Sequence, residues 1–246
     1  MIAFEGVSKR FGSKVVLDGF SLTIPEGQTT VLMGVSGSGK SVALKHIVGL
    51  IEPDAGRIIV DDAVVNQLEY DDLMQLRTRI GYVFQFAALF DSMTVRDNLG
   101  LGLRRQGLEP GMIAERVAES LRLVELPGVE ERYPSELSGG MRKRVGIARA
   151  IVLRPRYILY DEPTTGLDPV TTTAMDDLMV RAREELGATS VVVTHDLRSA
   201  FAVADRIAFL HEGRIRQVGS TAEIRATTDP LVRGFIEGRP GPGGGA

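Results

Sequence analysis

Short runs of strand-like residues, bounded by turn residues, occupy both ends of the chain, and a helical repeat fills the middle. Residues 1–33 read as β-rich, because 2–7 and 17–24 alternate partly before turn residues interrupt them. Pro25-Glu26-Gly27 turns the chain into a buried strand over 30–33, and a helix is expected over 42–50. Pro53-Asp54-Ala55-Gly56 is a turn, followed by strands at 57–61 and 80–84, the second ending at Gln85. From about 86 to 150 strand patterns vanish. Ile113, Val117, Leu121 and Val124 share one helical face, with Pro110 just before it, so this stretch is expected to be a helical insert. The chain then returns to strands: 157–160, ending in Asp161-Glu162, and 190–193, ending in Thr194-His195. Between them Met175, Leu178, Met179, Ala182 and Leu186 line a helix. A terminal hairpin over 207–210 and 213–218, a helical stretch over 221–238 and a disordered Gly/Pro tail over 239–246 complete the expectation.

One junction carries chemistry. Gly34-Val35-Ser36-Gly37-Ser38-Gly39-Lys40-Ser41 lies between a predicted strand and a predicted helix that opens at Val42. Glycines let the backbone wrap closely around an anion, and the helix N-terminus adds partial positive charge there. Gly, four residues, then Gly-Lys-Ser is the phosphate-loop pattern: Lys40 reaches the β- and γ-phosphates and the Ser41 hydroxyl ligates Mg²⁺. The plain alternative, a flexible Gly/Ser turn, gives no reason for the flanking strand and helix. Asp161-Glu162, at the end of an apolar strand, fits a division of labour in which one carboxylate holds the metal and the other faces the attacking water. Phe11, in the Arg10-Phe11-Gly12 turn, is either a packing aromatic or a ring for stacking on an adenine base.

Composition narrows the partners. A length of 246 residues suits one large domain or a domain with an insert, and a net charge of −3 gives no nucleic-acid-coating surface. Arg142-Lys143-Arg144 point in three directions along a helix and read as solvated surface. The absence of cysteine removes disulfide and thiol chemistry and suits the cytoplasm. No secretory signal is expected, nor any apolar run of the roughly 18–20 residues that span a bilayer, so work at a membrane would need a membrane-embedded partner. His46 and His211 lie too far apart to suggest a metal cluster.

Leu137-Ser138-Gly139-Gly140-Met141 precedes a predicted helix over 142–153, with Ser138 as N-cap and two glycines leaving amides open, a second anion-binding helix terminus. The stretch resembles the signature motif of ATP-binding cassette (ABC) ATPases. The rest of that family's pattern follows: Gln85 resembles the Q-loop glutamine, Asp161-Glu162 the Walker B pair with its catalytic glutamate, Gly166-Leu167-Asp168 the D-loop, His195 the switch histidine, and Phe11 the base-stacking position. The resemblance spans about residues 2–238. Met141 stands where the family usually has Gln, and Phe11 where Tyr is common, which keeps the π-face without the hydroxyl.

The resemblance implies an α/β P-loop NTPase core with an N-terminal antiparallel β portion, and an α-helical subdomain inserted over about 86–150 in a single ABC ATPase domain over 1–238. It implies a homodimer that sandwiches two ATP molecules. Each ATP would be held by Phe11, Gly34 to Val42, Gln85, Asp161 and His195 of one chain, and by Ser138, Gly139 and Gly140 of the other. Ser41, Gln85 and Asp161 would hold Mg²⁺. Glu162, His195, Gln85 and Lys40 would carry catalysis, and Asp168 would couple the two sites.

Three stretches resemble one branch, the ATPases of MCE-type lipid transporters, including the maintenance-of-lipid-asymmetry system. They are residues 84–95, Gly140-Met141-Arg142-Lys143-Arg144-Val145, and residues 159–169. That likeness implies an integral-membrane permease, an MCE-type substrate-binding protein, and a peripheral place on the cytoplasmic face of the inner membrane. Phe86, Leu89 and Phe90 are expected to receive a permease helix, the plain alternative being that they fill the joint to the helical part. A soluble ABC ATPase of translation or repair would need a second cassette or a long coiled coil, neither of which is present. A non-hydrolysing sensor would not need the full set Lys40, Asp161, Glu162 and His195.

Overall fold

The N-terminal alternation becomes a long antiparallel hairpin, β1 (Ile2–Phe11) and β2 (Lys14–Ile24). Leu17, Phe20, Leu22 and Ile24 point inward, and the Phe20 ring meets Phe4 edge-on at 4.9 Å. The interrupted pattern has a local cause. The register shifts between Phe4 and Val7, where Gly6 N–H donates to Ser21 Oγ and Gly19 N–H to Ser8 Oγ. Phe11 is the last residue of β1 and not part of the turn that follows. The computed structural model describes residues 1–239, so the expected disorder beyond Arg239 lies outside the described residues. The chain forms two compact units, Met1–Leu76 with Thr189–Ala246, and Arg77–Ala188.

In the first unit, β3 (Thr29–Met33) is buried at every position, as a strand covered on both faces must be. The phosphate loop leads from it into α1 (Lys40–Ile47). β4 (Ala55–Val60) and β5 (Ala63–Val64) extend the hairpin into a four-stranded antiparallel sheet in the order β2-β1-β4-β5. A helix absent from the sequence reading, α2 (Tyr70–Thr78), leads to the unit boundary.

The second unit begins with β6 (Ile80–Val83). Three helices follow: α3 (Val95–Arg105), α4 (Pro110–Leu123) and α5 (Gly139–Ile151). Ile113, Val117, Leu121 and Val124 are buried together, as their spacing predicts. Asn98 on α3 is buried. It accepts from Phe90 N–H at 2.8 Å and donates to the carbonyls of Phe90, Met93 and Thr94, which fastens the loop before that helix. β7 (Tyr157–Asp161) lies parallel to β6, and α6 (Pro169–Leu186) closes the unit, capped by Asp168.

The chain re-enters the first unit as β8 (Thr189–Thr194), parallel to β3, followed by α7 (Leu197–Val203), β9 (Arg206–His211) and β10 (Arg214–Ser220). β9 flanks β3 on its other side in parallel, and the predicted terminal hairpin is β9 with β10. The expected helical stretch over 221–238 is two short helices, α8 (Thr221–Arg225) and α9 (Pro230–Ile236). Asp229 caps the second and Pro230 takes its first position, where a missing N–H costs nothing. Among the described residues no helix is long and apolar enough to cross a membrane.

Candidate functional site

In the first unit the chemistry gathers at one strand edge. Met33 on β3 pairs with Thr194 on β8, so the phosphate loop and His195 leave neighbouring parallel strands at the same C-terminal end, where open α/β sheets bind ligands. Two glycines are required by close approach. A Cβ on Gly34 would lie 2.3 Å from the Leu210 carbonyl oxygen, and one on Gly39, at φ +106, would lie 2.8 Å from that of Val16. The second contact sets β2, and with it the hairpin that ends in Phe11, beside the loop. The Phe11 ring is 48% exposed, which removes it from the core. Lys9 Nζ stands 5.6 Å from the ring centroid.

Lys40 is buried, and its ammonium donates to the Gly34 and Val35 carbonyls at 2.8 and 3.0 Å. α1 opens with no side-chain cap and no acidic residue in its first turn, which leaves its positive end to a ligand. Ser38 Oγ is buried and finds no hydrogen-bond partner among the described residues. A buried cation, an uncapped helix start and an orphaned hydroxyl on one loop suit a polyphosphate. Val35, Ser36 and Gly37 form the exposed tip of the loop, and Ser41 and Val42 are half-buried in the first turn of α1.

In the second unit Val83 on β6 pairs with Tyr160 on β7, so Gln85 and Asp161-Glu162 emerge at the same end of that pair. Tyr82 donates its hydroxyl to Asp161 Oδ2 at 3.0 Å. Burial first, and then the charge of Asp161, push the phenol far above its usual range. Glu162 is half-buried in a left-handed conformation, φ 51, and its Oε2 accepts from the Thr165 hydroxyl at 3.1 Å. Non-glycine residues seldom hold that conformation unless their surroundings impose it. Ser41, Gln85 and Asp161 all offer oxygen, which suits a hard cation such as Mg²⁺. Among the described residues no three His, Cys, Asp or Glu side chains gather as a metal cage, and Mg²⁺ is typically held by few protein ligands plus phosphate oxygens.

α5 begins at Gly139, three residues earlier than expected, because Ser138 Oγ accepts from Met141 N–H at 3.2 Å and closes the first turn around both glycines. A Cβ on Gly140 would lie 3.2 Å from Thr171 Cγ2, and the Thr171 hydroxyl bonds Asp168, so the signature and D-loop residues are neighbours. Asp168 also caps α6 through Val170 and Thr171 N–H. Its carboxyl is held below the usual range, chiefly by the Thr171 hydroxyl.

The sequence reading missed two cations on α5. Lys143, expected to be solvated, is half-buried and donates to the carbonyls of Pro163 at 2.9 Å and Thr165 at 2.6 Å, and burial lowers its pKa. Arg149 donates to the carbonyls of Ala87 and Ala88, both left-handed, just beyond Gln85. Nothing in an Arg-Lys-Arg run signals which member turns inward. Around the same loop Phe86 is 84% exposed and Phe90 50%, while Leu89 is half-buried; Phe84 stacks on Tyr82 at 4.4 Å.

The profile of the ABC transporter family matches residues 17–165. A probable ribonucleotide transport ATP-binding protein, mkl, of Mycobacterium tuberculosis is 41% identical over 239 residues, 97% of this chain and 67% of its own length. The sulfate/thiosulfate import ATP-binding protein CysA of Synechocystis is 41% identical over 96% of this chain and 65% of its own. The chloroplast protein TRIGALACTOSYLDIACYLGLYCEROL 3 of Arabidopsis thaliana is 40% identical over 97% and 74%. Among solved structures, the dimeric ATP-binding cassette MJ0796 in a post-hydrolysis state with ADP and Pi superposes with a TM-score of 0.82 at 34% identity, covering 90% of this chain and 99% of that one.

Proposed function

Because the chain belongs to the ABC transporter family, as an ATPase cassette that uses ATP with Mg²⁺ and has its P-loop α/β fold, we propose that it is the motor of a phospholipid transporter built with an MCE-type complex. In this reading it works as a homodimer on the cytoplasmic face of the inner membrane, with a single domain over 1–238 and the helical subdomain over about 86–150. Lys40, Ser41 and the loop amides of residues 34–42 hold the phosphates, and Phe11 stacks on the base. Glu162 takes the proton of the attacking water, while His195 and Gln85 contact the γ-phosphate. Ser138, Gly139 and Gly140 reach the partner's ATP, and Asp168 links the two sites. Mg²⁺, held by Ser41, Gln85 and Asp161, neutralises phosphate charge when bound.

The observation that carries the motor reading is the phosphate loop: a Cβ at Gly34 or Gly39 would strike backbone, and Ser38 is left an orphan that a phosphate satisfies. Exposed Phe86 and Phe90 beside Leu89 support a permease helix docking after Gln85. The lipid branch is supported by the wording of residues 84–95 and 159–169, and by a relative named for a diacylglycerol galactolipid. A second reading, an ABC transporter ATPase for another substrate, is favoured by relatives named for ribonucleotide and sulfate at similar identity. Identifying the proteins and lipids that co-purify from gently solubilised membranes separates the two. A permease, an MCE-domain protein and phospholipid support the first reading; a permease with no such partner supports the second.

A further inference from the structure

Lys143 ties the loop that carries Glu162 to the helix that carries Ser138. Its ammonium is half-buried, a position that removes water from the charge, yet the hydrogen bonds it makes go to two carbonyls, those of Pro163 and Thr165. Two carbonyl dipoles turned toward one point repel each other, and a cation between them holds them together. An apolar side chain would fill the same gap without desolvating a charge, so simple adhesion of helix to loop does not call for lysine. Thr165 is thereby held at both ends. Its carbonyl meets Lys143, and its hydroxyl donates to Glu162 Oε2 at 3.1 Å. Glu162 itself sits at φ 51, a conformation that its surroundings must enforce. Ser138, five residues before Lys143, caps the same helix, and a Cβ on Gly140 would lie 3.2 Å from Thr171, the partner of Asp168.

We propose that Lys143 is a positioning residue for hydrolysis: by gathering the Pro163 and Thr165 carbonyls it holds the Thr165 hydroxyl on the Glu162 carboxylate, so the base is aimed only while the signature helix is seated. The device connects the start of α5, which in the proposed dimer reaches a partner's nucleotide, to the base that serves its own. It rests on the reading that Glu162 activates water.

The test is steady-state ATP hydrolysis by the full chain in Lys143→Met, Lys143→Gln, Thr165→Val and the Met/Val double variant, with Glu162→Gln and melting curves alongside. A displaced base typically costs up to about 10²-fold in rate. Lys143→Met and Thr165→Val should each lower kcat by about 10–100-fold while KM for ATP stays within about twofold. The double variant should fall no further than the worse single one, because both act on one link. Lys143→Gln keeps a donor without the charge and should recover only part of the loss. Parental kcat in Lys143→Met, equal losses for Gln and Met, or additive losses in the double variant would overturn the assignment. Should Lys143→Met not fold, Thr165→Val and Lys143→Gln decide: slowed turnover in both with KM for ATP unchanged supports it, and parental turnover in either overturns it. Parental turnover in Glu162→Gln would instead sink the base on which the proposal rests.

Discussion

The proposed function gives Glu162 and Lys40 different work. Glu162→Gln preserves shape and the link to Thr165 but removes the base. ATP should bind with near-parental affinity while turnover falls by about 10²–10⁴. Lys40→Ala removes the ammonium that now rests on the Gly34 and Val35 carbonyls, and should weaken ATP binding and hydrolysis together. Nucleotide titration beside steady-state hydrolysis checks both, and matched losses in the two variants would contradict the division of roles. The phosphate-loop pattern was legible from its glycines, but the close approach that requires Gly34 and Gly39 is to the Leu210 and Val16 carbonyls, which no spacing in the sequence announces. Nor were Lys143, Arg149 and Tyr82 legible. Their partners are backbone carbonyls and a carboxylate brought near by folding, and no spacing in the sequence encodes that.

Helices and strands show the same contrast. β3, β7 and β8 are buried at every position, so their uninterrupted runs announced them. α2 escaped notice because only Leu76 among its residues is buried, although Asp71 and Asp72 in its first turn and Arg77 in its last suit the helix dipole. α7 is a seven-residue helix whose start depends on the Asp196 cap. The two glycines of α5 read as a loop before the helix, yet they sit in a first turn that Ser138 closes. Ser138→Ala should cost ~1 kcal/mol of stability through the lost cap. Its turnover should fall further than that loss explains, and a melting curve beside an ATPase assay separates the two effects. α1 makes a pH prediction. His46 is fully buried, its Nε2 finds no partner among the described residues, and burial lowers its pKa. The folded chain therefore refuses a proton that the unfolded chain takes up below about pH 6.5. Stability should be full above that value and decline as pH drops from about 6.5 toward the lowered folded value. The melting temperature should fall between pH 7.5 and 5.5, and His46→Gln should flatten that decline.

At the scale of the whole molecule, the chain is an ATP-hydrolysing cassette, and the proposed function couples it to a membrane partner and a lipid. Leu89→Asp places a charge at a half-buried position in the loop that exposes Phe86 and Phe90. It should release the protein from membranes in a pull-down while the melting curves, with and without ATP, stay close to parental. Unchanged membrane association would remove the docking site, and loss of folding would mean that Leu89 serves packing. The most direct measurement is phospholipid movement by the purified complex in vesicles, with parent and Glu162→Gln cassettes compared at saturating ATP. The proposed function predicts ATP-dependent phospholipid movement in the parent and none in Glu162→Gln, although both bind ATP. A parent complex that hydrolyses ATP and moves no phospholipid, or a Glu162→Gln complex that moves it at the parental rate, would contradict it.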